Sequence, residues 1–221
     1  TTVALLEKQL EKIAHPERKD YVKRLWTRWR EDKAKRAKKF DTQGRIPNAL
    51  IMETLSDIVP EDAVIAVDVG NNAYSFGMYF ESKQQHILMS GYLGSIGFAF
   101  PAAMGAWAAA PKRKIIAIAG DGGFGQYMAE FTTAVKYKMP ITLVLLNNAE
   151  LAKISREQRS AELAVWQTSL VNPNFAEFAK NCGGLGIRVE KPAQLKKALL
   201  EAFDYQAGPS LVEIISSVGQ L

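Results

Sequence analysis

Two apolar runs, each closing on a short polar signature, constrain this chain more than any other feature. Ile115-Ile116-Ala117-Ile118-Ala119 runs into Gly120-Asp121-Gly122-Gly123, and Ile141-Thr142-Leu143-Val144-Leu145-Leu146 runs into Asn147-Asn148. Short apolar, β-branched-rich runs of this kind suit strands buried on both faces, as in parallel sheets. The helical stretch between them supplies the crossover that parallel strands need. The pair therefore delivers a carboxylate and an amide oxygen to one sheet edge, where open α/β sheets take their ligands. Mg²⁺ combines one or two carboxylates with phosphate oxygens and water. Glycines beside Asp121 let backbone N–H groups come close to a phosphate. The residues alone point to a magnesium–diphosphate site.

The rest of the chain from Arg45 onward alternates in the same way. The pattern predicts a helix over 48–59 and a buried strand over 63–67 that ends at Asp68-Val69-Gly70-Asn71-Asn72. A helix over 71–80, a short strand over 86–89 and a small-residue helix over 98–109 follow. Beyond Asp121 the periodicity predicts helices over 126–138, near 150–159, over 174–181 and over 192–204. The last two strands are expected at 186–189 and 210–215. Alternating units of this kind predict an α/β fold, a doubly wound, mostly parallel sheet with helices on both faces. The domain is expected over 45–221.

Residues 1–44 read differently, as a helical basic arm. Leu5, Leu6, Gln9, Leu10 and Ile13 form one stripe, and His15-Pro16 breaks it. A second helix puts Tyr21, Leu25, Trp26 and Trp29 on one side. The net charge of +5 belongs to this arm, because residues 1–41 hold 13 of the 28 Lys/Arg and 7 of the 23 Asp/Glu. The remainder carries 15 basic against 16 acidic side chains, close to neutral. A basic helix can bind nucleic acid or an anionic membrane. The favoured expectation is a solvated helix that docks its aromatic stripe on a missing neighbour, with no nucleic acid as partner and a membrane disfavoured. No apolar run approaches the roughly 20 residues of a membrane span. The single cysteine, Cys182, excludes an intrachain disulfide framework and is expected to pack as a small hydrophobe in a cytoplasmic setting.

The Gly-Asp-Gly and Asn-Asn signatures, one βα unit apart with Asp121 and Asn148 separated by 27 positions, resemble those of the thiamine-diphosphate enzymes. The resemblance runs over about residues 45–215 and is strongest to the pyruvate oxidase group, a relative of acetohydroxyacid synthase. It is carried by Gly91-Tyr92-Leu93-Gly94-Ser95-Ile96-Gly97, Gly120-Asp121-Gly122-Gly123-Phe124, Thr133-Ala134-Val135-Lys136-Tyr137 and Asn181-Cys182-Gly183-Gly184. The resemblance implies a thiamine diphosphate cofactor held through Mg²⁺ by Asp121, Asn148 and the backbone carbonyl of Glu150. Gly120, Gly122 and Gly123 would cradle the diphosphate, helped by the N-terminus of helix 126–138, with Asn71 and Asn72 as further contacts. Ile96 would be the apolar wedge that bends the cofactor, and the Gly94 carbonyl would accept from its pyrimidine amino group. Ile154 and Glu157 would face a 2-oxo acid substrate such as pyruvate.

Each position has a plainer alternative. Asp121 could cap a helix, Asn147 and Asn148 could form a turn, Ile96 could be core, and Glu157 could be a surface charge. His15 and His86 match no family role. Lys153 stands where pyruvate oxidases tend to carry a large apolar residue, which leaves the substrate open. The loop after Asn148 lacks the glutamine- and tryptophan-rich pattern of the synthases. The family also implies a pyrimidine-binding domain, with the glutamate that activates the cofactor, and a middle domain carrying FAD. Neither is found in these residues. The expectation is a C-terminal piece of a longer enzyme, inactive alone and completed within a homodimer or homotetramer. The runner-up readings are an acetohydroxyacid synthase, a 2-oxo acid decarboxylase, or a non-catalytic module that docks through its basic arm.

Overall fold

The computed structural model describes residues 16–218 together with Val3 and Leu5. The stripe from Leu6 to Ile13, and His15, lie outside the described residues. The chain opens with α1 (Pro16–Ala37), then α2 (Asn48–Ile58), β1 (Val64–Val67), α3 (Asn71–Tyr79), β2 (His86–Met89), α4 (Ala99–Ala109) and β3 (Ile115–Gly120). It continues through α5 (Asp121–Tyr127), α6 (Glu130–Lys136), β4 (Ile141–Asn147), α7 (Ala152–Ser160), α8 (Phe175–Asn181), β5 (Leu185–Val189), α9 (Pro192–Asp204) and β6 (Ser210–Ile215).

Six strands form one sheet in the order β2-β1-β3-β4-β6-β5. Every pairing is parallel. The apolar runs work through their alternation, since successive side chains leave a strand on opposite faces. Ile116, Ile118, Val144, Leu146, Val212 and Ile214 join one core with Ile51 and Leu55 of α2 and Leu195 and Leu199 of α9. Ile115, Ala117, Ala119, Leu143, Leu145 and Leu211 join the other. There the small Ala117 and Ala119 leave room for a cluster of rings. Phe124 sits 5.7 Å from Phe100 and 5.8 Å from Phe175, both edge to face, and Phe100 stacks on Phe131 at 5.8 Å. Aromatic pairs of this geometry add stabilisation beyond their buried area.

Two expectations need correction. The helix expected over 126–138 is two helices, α5 and α6, broken at Met128-Ala129. The first begins at Asp121, so Gly122 and Gly123 occupy a first helical turn rather than a loop. Phe124 explains the start, because its ring must drop into the aromatic cluster one turn after β3 ends. The aromatic side of the arm is also split. Trp29 docks on the domain itself, its Nε1 donating to the Met78 carbonyl at 2.7 Å. Lys33, buried beside it, pairs with Glu81 at 2.7 Å and lies 4.8 Å from the Trp29 ring centroid. Tyr21, Leu25 and Trp26 stay exposed. Among the described residues no helix is long and apolar enough to cross a membrane.

Candidate functional site

After β1 the chain moves outward to β2, then returns across β1 to build β3, β4, β6 and β5 on the other side. The direction of winding therefore reverses between β1 and β3. In open α/β sheets a crevice opens at such a point, beyond the carboxyl ends of the strands. A cavity of about 690 Å³ lies there, within the range of small-molecule sites. It is lined by residues that follow β1, β2, β3 and β4. Asn71, Asn72, Gly94, Ile96, Gly120, Asp121, Gly122, Gly123, Asn148, Glu150, Ile154 and Glu157 all line it.

Asp121 stands at the centre. Gly120 of β3 pairs with Leu146 of β4, so Asp121 and the Asn147-Asn148 pair leave the sheet side by side. Asp121 is the first residue of α5; the cap position belongs to Gly120, which rules out the plain capping role. Its Oδ2 accepts the Ala149 N–H at 2.8 Å and Asn172 Nδ2 at 2.7 Å. Burial pushes the Asp121 carboxyl above the usual carboxylate range, while Asn172 and the N–H groups of Gly122 and Ala149 draw it back. Ala149 holds a left-handed φ of +58°. A residue with a Cβ adopts this at a cost of roughly 1–2 kcal/mol, and the Asp121 contact offsets part of it. Asn148 does form a turn, its Oδ1 accepting the Glu150 N–H at 2.9 Å, and Arg45 Nη1 reaches its carbonyl at 3.4 Å. The Glu150 carbonyl accepts from Ala152 N at 2.8 Å, which uses one of its two lone pairs.

The two glycines after Asp121 pack closely against neighbouring side chains. A Cβ on Gly123 would stand 2.7 Å from Asp68 Oδ2, and one on Gly122 would stand 2.6 Å from Leu151 Cδ2. Asp68 itself is buried at the end of β1. It accepts N–H groups from Val69 at 2.8 Å, Gly97 at 3.0 Å and Ala99 at 3.5 Å. Burial raises the Asp68 carboxyl above its ordinary range, and these N–H groups with that of Phe98 oppose the rise. The carboxylate thus ties β1 to the segment after β2 that carries Gly94 and Ile96. Gly94 has a φ of +62°, a conformation that favours glycine, and Ile96 is exposed rather than core. Asn71 and Asn72 open α3, and both are buried. Their Nδ2 groups donate to the carbonyls of Val218 and Val69 at 2.9 and 3.1 Å.

The outer wall is α7. Ile154 is exposed toward the cavity mouth, and Glu157 is paired with Lys153. Lys153 and Arg156 both lie over the Tyr74 ring, at 5.4 and 5.5 Å. His86 contacts Arg113 on the exposed strand β2, and Cys182 is half-buried against the aromatic core, where burial raises its thiol.

A magnesium–diphosphate group fits these residues. The donors are hard oxygens: one carboxylate, one side-chain amide and one backbone carbonyl. Among the described residues no cluster of three or more His, Cys, Asp or Glu could hold a metal ion alone. A cation here would need oxygen from its ligand, as Mg²⁺ does with phosphates. Gly122 and Gly123, which carry no side chains, let such an oxygen reach backbone N–H groups. Sequence reasoning missed three residues of this site: Asp68, Asn172 and Glu213. Asp68 was visible as a carboxylate closing an apolar run, like Asp121. Asn172 and Glu213 gave no such signal.

Comparison with known proteins agrees with this geometry. Residues 68–214 match the family model described as thiamine pyrophosphate enzyme, C-terminal TPP binding domain. YdaP of Bacillus subtilis, which carries the provisional name of a thiamine pyrophosphate-containing protein, is 37% identical over 75% of this chain and 29% of its own length. The large subunit of acetolactate synthase isozyme 3 from Escherichia coli is 29% identical over 87% of this chain and 34% of its own. The mitochondrial acetolactate synthase of Schizosaccharomyces pombe is 30% identical over 97% of this chain and 32% of its own. The chain spans about a third of the length of these curated relatives.

Proposed function

The chain belongs to the C-terminal TPP-binding domain family of thiamine pyrophosphate enzymes, and from that premise we propose that it holds the diphosphate through Mg²⁺ in an enzyme that decarboxylates a 2-oxo acid such as pyruvate. The observation that carries this reading is the juxtaposition of Asp121 and Asn148 beyond adjacent strands, beside the closely packed glycines Gly122 and Gly123. Asp121, Asn148 and the Glu150 carbonyl would hold the cation. Gly122 and Gly123 would offer N–H groups to the diphosphate, with Gly120, Asn71 and Asn72 closing the same end. Ile96 and the Gly94 carbonyl would take the ring end, held in place from beneath by Asp68.

When bound, thiamine diphosphate supplies a carbon nucleophile for the substrate carbonyl and an electron sink for the departing CO₂. The chain's own part is orientation and exclusion of water. Ile154 presents an apolar surface to the substrate side. Lys153, paired with Glu157, keeps that side from presenting a bare negative charge to an anionic substrate. The exposed apolar groups around the mouth, Tyr92, Leu93 and Ile96 among them, support completion of the ring end by a pyrimidine-binding domain. That domain would come from the longer chain or from a second copy in a homodimer or homotetramer.

Two fates of the decarboxylated substrate are separable. In the pyruvate oxidase-like fate its electrons pass to an acceptor, such as an FAD carried elsewhere in the longer protein. Condensation with a second 2-oxo acid is the alternative, and the acetolactate synthase relatives, which cover most of this chain, favour it. Incubating the longer protein with pyruvate, Mg²⁺ and thiamine diphosphate tests both. CO₂ release that needs both additions is the expected result, and reduction of an acceptor dye selects the first fate. A condensed product with no dye reduced selects the second fate. No CO₂ from pyruvate or any other 2-oxo acid overturns the proposal.

A further inference from the structure

A buried hydrogen-bond chain leads away from Asp121, and its polarity is set at the far end. Glu213 of β6 is fully buried. A carboxylate in such a place is costly unless its oxygens are filled. Arg188 Nη1 of β5 donates to Oε1 at 2.7 Å, Asn147 Nδ2 donates to the same atom at 2.8 Å, and the Ala176 N–H donates to Oε2 at 3.1 Å. A carboxylate only accepts, so Glu213 dictates which way the Asn147 amide faces. Asn147 Oδ1 is thereby turned toward Asn172 and takes Nδ2 of that residue at 2.9 Å. The same Nδ2 gives its second hydrogen to Asp121 Oδ2 at 2.7 Å. Each amide in the series has one orientation that satisfies its neighbours. The loop that carries Asn172 is itself stitched to the turn after Asn148, Leu151 N donating to Thr168 O at 2.7 Å and Leu170 N to Ala149 O at 2.8 Å.

The consequence for Asp121 is specific. The hydrogen bonds from Asn172 Nδ2 and the Ala149 N–H both land on Oδ2 and fix how the carboxylate is turned. We propose that Asn172 is a positioning residue for the divalent cation, holding the Asp121 carboxylate in its ligating orientation through a chain anchored at Asn147, Glu213 and Arg188. The proposal rests on the magnesium–diphosphate reading of the site. Outer partners that orient a ligating carboxylate typically change metal affinity by about 10–100-fold when removed.

The test is Mn²⁺ binding, with free Mn²⁺ counted by electron paramagnetic resonance at a fixed concentration of thiamine diphosphate. Asn172→Leu keeps the side-chain shape and removes the donor. Ile51→Val, in the core of α2 and away from the site, loosens packing without touching the chain of hydrogen bonds. The Mn²⁺ dissociation constant is expected to rise about 10–100-fold in Asn172→Leu and to stay at the wild-type value in Ile51→Val. A constant within twofold of wild type in Asn172→Leu overturns the proposal, and so does an equal rise in Ile51→Val, which would mean general loosening. Should Asn172→Leu fail to fold, Arg188→Gln at the half-exposed end of the chain decides: a raised constant supports the proposal and an unchanged one overturns it. Wild-type protein that binds no Mn²⁺ with the diphosphate overturns the underlying site reading, and this proposal with it.

Discussion

The two ends of the cavity are built in opposite ways. At the sheet end Asp68, Asp121 and Asn147 are all less than a tenth exposed, and each is tied into a hydrogen-bond network. At the mouth Tyr92 is fully exposed, Leu93 is 82% exposed and Ile96 is 44% exposed. A buried polar group without a partner costs free energy, so a site for charge must be assembled and satisfied before its ligand arrives. Apolar grip has no such requirement. It needs only surface. The polar end is therefore satisfied within this chain, while the apolar end is exposed.

The sharpest way to break that contrast is Asp121→Ala. It should abolish cation-dependent diphosphate binding, measured by calorimetry, while binding that persists at wild-type strength would remove Asp121 from the site. Next in size is Gly123→Ala, whose new methyl group meets Asp68 Oδ2 at 2.7 Å. Overpacking of this kind costs about 1–3 kcal/mol, to be read from denaturant unfolding, and it should weaken diphosphate binding as well. A smaller effect separates Asp68 by pH. The folded protein holds the Asp68 proton more tightly than the unfolded chain does. This contribution is fully present below the ordinary aspartate value of about 3.9 and is lost as pH rises through the raised folded value. The stability difference between wild type and Asp68→Asn should therefore shrink across that window, as followed by denaturant unfolding at a series of pH values. The smallest effect belongs to the mouth. Tyr92→Ser should change stability by no more than about 0.5 kcal/mol, and a larger loss in thermal unfolding would show that the rim is structural.

What the sequence disclosed follows the range of its signals. Strand runs and the residues that end them are local, so the sheet and the meeting of Asp121 with Asn148 were legible. The roles of Asn172 and Glu213 were not, because their partners lie 25 to 66 residues away and no periodicity links them. Glu213 was hidden inside a strand pattern that treats it as one polar interruption, when its oxygens orient an entire network. The start of α5 was misplaced because glycines suggest a loop. The pull of Phe124 into the aromatic core draws them into a helical turn instead. Trp29 shows the same limit: helical spacing groups it with Trp26, and only the Met78 carbonyl distinguishes them.

On the proposed reading, this chain alone completes the diphosphate end of the site through a divalent cation. Calorimetric titration with thiamine diphosphate, with Mg²⁺ present and then absent, tests it most directly. Binding that appears only with Mg²⁺ and disappears in Asp121→Ala is the predicted result. Binding of equal strength without Mg²⁺, or no binding under either condition, would contradict it.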